Sequence, residues 1–221
     1  MNVKANLFYN YRTVGDVLMA IIDNEKTATH SKTINNITLI FNNEALIGIN
    51  FFKISEICKI KSVGKIVLPP NALIDMLNSL LLPVCDYQLD YVKDSMFVVG
   101  KIIECDEHPE SDHLHVLKVD IGTEILDIVC GAYNARVGLL CVVAKVGAMM
   151  MNGAVIKPGK LLGEVSNGMC CSPRELGMDV EYPLHHILEL DENEVRIGQD
   201  FFLTKWGFDY EWIWIKRKRF D

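Results

Sequence analysis

Residues 36–52, NITLIFNNEALIGINFF, alternate β-forming and polar positions on either side of Asn42-Asn43, a pattern that predicts two strands joined by a tight turn. The period then changes. In PPNALIDMLNSLLLPV the Leu, Ile and Met positions recur at helical spacing behind two prolines, and Pro83 closes the run, so a helix is predicted from Asn71. CDYQLDYVKDS, from Cys85, is polar and has little period; it reads as a linker with its boundary near Asp94. Residues 1–94 are therefore predicted to form a small α+β domain.

From Met96 the pattern becomes one of short apolar runs separated by turns: FVVGKIIEC, HLHVLKVDIG, EILDIVCGAYN and LLCVVAKVGA, with HHILELD as the last strand-like piece. About five strands over residues 95–203, with one short helix near the end, predict a small closed barrel of the OB type. The expected fold class is mainly β, an α+β N-terminal domain followed by an OB barrel. Residues 204–221 form a tail in which Trp206, Phe208, Tyr210, Trp212 and Trp214 fall at every second position, so a strand there would carry all five rings on one face. Lys216, Arg217, Lys218 and Arg219 follow directly. The strip suits a single-strand nucleic-acid platform, but its apolar area favours cover for a core or a dimer partner.

Composition narrows the class. Half of the 221 residues are hydrophobic, which fits an ordinary folded chain. Its longest apolar runs fall short of a membrane span, and the first residues lack the basic flank and apolar run of a secretory leader. The seven cysteines are odd in number and sit mostly in apolar strands, as reduced thiols do. A cytoplasmic protein without a membrane partner is expected. Charge is uneven: residues 1–95 carry nine basic and nine acidic side chains, residues 96–203 carry eight and seventeen, and the tail carries five and three. An acidic middle weakens any partner held mainly through phosphates.

Candidate chemistry is sparse. Cys170 and Cys171 are adjacent, so in a strand they point to opposite faces, and no second pair completes a zinc set. His113 and His115 share a strand face near His108 and Asp112, but ligand number is not set, and a turn explains His108 as well. His185-His186 is an adjacent pair and weaker still. No nucleophile elbow, Walker loop, dinucleotide fingerprint or HExxH motif occurs. No enzyme, cofactor or metal is expected. SNGMCCSPRELG, residues 166–177, is more informative: Ser172, Pro173 and Glu175 satisfy the helix-entry rules, and Gly177 ends the helix after one turn. Before it, SNG makes a turn that places Ser166 and Asn167 at the barrel mouth, with Met169 as a flexible apolar contact. A hydroxyl, an amide and a thioether so grouped suit contact with an unstacked base.

Taken in order, VGKIIECDEHPESDHLHVLKVDIG, IVCGAYNARVG and VGAMMMNGAVIKPGKLLGEVSNGMCCSPRELG resemble the EMAP-II-like tRNA-binding domain over roughly Phe97 to Met178. With its N-terminal FYN…VGDVLM segment, the whole layout resembles the free-standing YtpR-type tRNA-binding proteins. The resemblance implies an OB module that binds structured tRNA, without strong sequence preference, through one barrel face. By correspondence with the family's motifs, Asn134 matches the Gly-Ala-x-Asn loop. Ser166, Gly168 and Met169 match the Ser-x-Gly-Met turn, with Ser172 in register. His108, Pro109, Ser111, Asp112 and Leu114 match a turn read as structural. His113 stands where the family has lysine, and Leu162 where it has arginine. The remaining cations expected at the interface are Lys101, Arg136, Lys145, Lys157 and Lys160, so binding is expected to be weak and salt-sensitive. The alternative is a protein-interaction module that kept the fold, with a homodimer or a synthetase as partner.

Overall fold

The computed structural model describes residues 1–61 and 63–204, together with the backbone of 213–215. Two compact units divide at Lys93/Asp94. The first contains β1 (Asn2–Val3), β2 (Asn6–Tyr9), α1 (Tyr11–Val14), β3 (Val17–Ile21), β4 (His30–Ile34), β5 (Ile37–Asn42), β6 (Ala45–Phe52), β7 (Cys58–Ile60), β8 (Gly64–Ile66), α2 (Asn71–Leu81) and β9 (Gln88–Leu89). Six of these strands make an antiparallel sheet in the order β4-β5-β6-β3-β2-β8. The expected hairpin is present, with its turn one residue further on: Asn42 pairs with Ala45, and Asn43 takes the positive φ of 51° that asparagine tolerates. Helix α2 buries Leu73, Ile74, Leu77 and Leu81, a single stripe, into the core formed with Leu18, Ile49 and Phe51 of the sheet.

The segment from Cys85 is less of a linker than its polarity implied. Gln88–Leu89 pairs in parallel with β1, and Leu89 is buried. The Asn78 amide grips it from both sides: Nδ2 donates to the Leu89 carbonyl at 3.0 Å, and the Leu89 N–H donates to Oδ1 at 2.7 Å. A two-residue strand leaves no period to read.

The second unit contains β10 (Phe97–Glu107), β11 (His115–Asp120), β12 (Ile125–Cys130), β13 (Leu140–Ala144), β14 (Gly159–Leu161), β15 (Glu164–Ser166) and β16 (Met169–Cys170). Five of them form one antiparallel sheet in the order β12-β11-β10-β13-β16, coiled around Ile102, Leu117, Val119, Ile128, Cys141 and Val143. Gly100 is where β10 passes closest to the inside: a Cβ there would lie 2.8 Å from Val119 Cγ1 and 2.9 Å from Val143 Cγ2. The two edges meet through the Ser166-Asn167-Gly168 turn. Ser166 Oγ accepts from the Val129 N–H at 3.1 Å and the Asn167 N–H donates to the Asp127 carbonyl at 2.8 Å, both along β12, while β16 continues onto β13. This is a small barrel of the OB type.

Two expected elements differ. HHILELD is not a strand, because both sides of β13 are already taken by β10 and β16. It runs as an irregular strap that buries Ile187, Leu188 and Leu190, and is held by single bonds from Leu188 N to the Cys171 carbonyl and from Leu190 N to the Leu140 carbonyl. The short helix after Ser172 is reduced to turns over residues 173–177. Its capping box forms all the same: Glu175 accepts from both the N–H and the hydroxyl of Ser172 at 2.7 Å. Gly177, at φ 74°, ends it.

Strand β17 (Ile213–Ile215) pairs antiparallel with β7 in the first unit, Trp214 opposite Lys59. The other four rings of the expected aromatic strip, Trp206, Phe208, Tyr210 and Trp212, and the basic run 216–219 lie outside the described residues, and Trp214 is described only by its backbone. No helix of the described residues is long and apolar enough to cross a membrane.

Candidate nucleic-acid interface

On the barrel lies a groove of about 1080 Å³. Its walls are the end of β12, the turn at Met150–Ala154, the capping turn at Ser172 and the strap at Tyr182–Ile187. Met150, Met151, Met169 and Met178 give it a thioether lining, flexible and polarisable enough to follow a flat ligand. Met169 and Ser172, both selected from the sequence, line this groove. Ser166 is close in sequence but its hydroxyl is committed to the barrel seam, half-buried instead of displayed at a mouth.

Asn134 and Arg136 are brought together, on the strap. The Asn134 amide donates to the Ile187 carbonyl at 2.9 Å and to Glu189 Oε1 at 3.0 Å, and its Oδ1 accepts from the Ile187 N–H at 2.8 Å. Arg136 makes a two-pronged ion pair with Glu189, at 3.0 and 2.7 Å, and a further bond to the Asn134 carbonyl at 3.1 Å. Hydrogen bonds from Arg136 and Asn134 pull the Glu189 carboxyl down to about 2. Both residues thus act as a clamp on the strap.

The other selected cations are dispersed. Lys145 pairs with Asp94 at 3.0 Å; Lys118 of β11, not among the cations expected at the interface, pairs with Asp127 of β12 at 2.9 Å. Lys101 stands on β10 opposite Asp120, and Lys160 is exposed on β14. His113 is exposed, its Nε2 3.2 Å from the Asp112 carboxylate. His108 is buried: its Nδ1 accepts from the Glu110 N–H, so its Nε2–H donates to the Leu161 carbonyl at 3.2 Å and ties that turn to the β14–β15 hairpin. Among the described residues, no three His, Cys, Asp or Glu side chains are gathered as metal ligands.

The cysteine pair that drew attention in the sequence is core. Cys170 and Cys171 are both buried, Cys141 Sγ donates to Cys170 Sγ at 3.9 Å, and burial pushes the Cys171 thiol far up. Sequence reasoning missed Arg174 on the groove and Tyr133 beside it, and weighed His185 and His186, which also line the groove, only as metal ligands. Tyr133 lay within the Gly-Ala-Tyr-Asn loop that was read for its asparagine, and its exposure was the signal that only coordinates supply.

A five-stranded barrel closed by a Ser-Asn-Gly turn, with a thioether-lined groove on it, defines a module of the OB type. Residues 97–199 match the family described as "Putative tRNA binding domain". The "Putative tRNA-binding protein YtpR" of Bacillus subtilis is 38% identical over 199 residues, covering 89% of this chain and 98% of that protein. The chain belongs to the YtpR family. The phenylalanine–tRNA ligase beta subunit of Vibrio parahaemolyticus is 53% identical over 104 residues, 47% of this chain but only 13% of that subunit. A solved structure, the C-terminal domain of Plasmodium vivax p43, aligns at 25% identity over 33% of this chain and 42% of that one with a TM-score of 0.27, too slight a likeness to bear on the fold.

Proposed function

We propose that this protein binds tRNA without catalysing a reaction on it, through the barrel face that carries the groove, and that it does so weakly and in a salt-sensitive way. The observation that carries this reading is the match of residues 97–199 to the tRNA-binding family together with a relative of similar extent bearing the same description. Weakness follows from the ion pairs: Arg136, Lys145 and Lys118 are each bound to a carboxylate. Exchanging such a pair for a phosphate contact strands the carboxylate beside the RNA.

With roughly two to four phosphate contacts left, raising salt from about 50 to 200 mM lowers affinity about ten- to a hundredfold. Fluorescence anisotropy of labelled bulk tRNA tests this. Reversing Lys101 and Lys160 to glutamate is expected to weaken binding at low salt and to flatten the salt dependence. Salt-independent binding, or none at about 50 mM, would contradict the reading. One observation favours a second reading, as a protein-interaction module: Leu161, Leu162 and Val165 are exposed together on the β14–β15 hairpin. Sedimentation at both salts distinguishes it, since apolar self-association persists when RNA binding is lost.

A further inference from the structure

We propose that Tyr133, braced by His185 and His186, is a stacking subsite for one unpaired base of the bound RNA. This rests on the RNA-binding reading above and names a contact within it. Tyr133 is 68% exposed, whereas Phe97, Phe201 and Phe202 of the same unit are buried and Tyr182 is half-buried. It is exposed but not loose. Its N–H donates to the His185 carbonyl at 2.9 Å, and the next residue, Asn134, clamps Ile187. The loop that carries the tyrosine and the strap that carries the imidazoles are therefore fixed to each other.

The rings meet at defined angles. The Tyr133 centroid lies 5.5 Å from that of His185, tilted by 57°, and 6.2 Å from that of His186, edge-on at 83°. His186 is oriented by its Nδ1–H, which donates to the Leu184 carbonyl at 2.8 Å. His185 stands at φ 56°, a conformation side chains rarely adopt, and it places its ring on the same step. Both imidazoles line the groove, and Arg174 is exposed on the same groove.

A flat, solvent-facing ring flanked by two imidazoles, which share their groove with Arg174, fits a planar base with its adjoining phosphate. An apolar helix would need a stripe of aliphatic contacts, and the strap offers it Leu184. Stacking is also the contact an acidic barrel can make, because the base carries no charge. It adds affinity where phosphate contacts are few.

The test uses the full chain, labelled bulk tRNA, and a short single-stranded RNA containing 2-aminopurine. Tyr133→Ala is expected to weaken tRNA binding about tenfold and to abolish fluorescence quenching of the 2-aminopurine, while Tyr133→Phe, which keeps the ring, retains both. The backbone bond to His185 survives either change, and a melt common to all three proteins confirms the fold. Unchanged tRNA binding and quenching in Tyr133→Ala would overturn the subsite and leave the RNA-binding reading standing. A wild type that binds neither RNA would overturn both. Altered self-association in Tyr133→Ala with RNA binding intact would make this face a protein surface and overturn the subsite too.

Discussion

Asn134 and Arg136, both expected as RNA contacts, are tied within the fold to Glu189. Asn134 and Arg136 have the chemistry of RNA contacts, and nothing local in the sequence reveals that their partners lie 53 and 55 residues away. A carboxyl held down near 2 contributes stability that is present above its unfolded value, about 4.3, and is lost as the pH falls from there toward 2. Glu189→Gln should therefore flatten the acid limb of the stability curve between about pH 4.5 and 2 in urea melts; an unchanged limb would mean that the clamp contributes nothing. The thiols were easier to read. Cys130, Cys141, Cys170 and Cys171 are buried, with Cys130 raised by its bond to Cys170 and by burial, so native labelling with a thiol reagent near pH 8 is expected to reach Cys85 and Cys105 first. Rapid native labelling of these four or of Cys58, the fifth buried thiol, would contradict that.

At the scale of elements, period carried most of the information. The alternation of residues 36–52 and the stripe of α2 are each strong enough to survive in the fold. Short or irregular pieces were not legible: β9 has two residues, and the strap alternates like a strand but finds no free edge beside β13. The seam was partly legible, since the Ser-Asn-Gly turn was expected but its bonds to β12 were not. Ser166→Ala leaves the Val129 N–H without its acceptor and should cost about 1–3 kcal/mol in chemical denaturation. Gly100→Ala drives a methyl into Val119 and Val143 and should cost a similar amount, about 1–3 kcal/mol. Neutral behaviour of both would mean the barrel closes by other means.

At the scale of the whole molecule, charge and fold pull in opposite directions. The barrel belongs to a tRNA-binding family, yet the stretch 96–203 carries seventeen acidic and eight basic side chains, and three of those cations are paired with carboxylates at the surface. The function proposed above resolves this by having the RNA approach one face and use stacking and thioether contacts in place of phosphates. The protein has nine methionines, four of which line the groove. The most direct measurement is therefore methyl NMR of the full chain labelled at methionine methyls, titrated with bulk tRNA. The account predicts that the signals of Met150, Met151, Met169 and Met178 shift saturably at about 50 mM salt and return toward their free positions at about 200 mM. If these four stay in place while tRNA binds, or if tRNA moves no signal at low salt, the groove is not where this protein meets RNA.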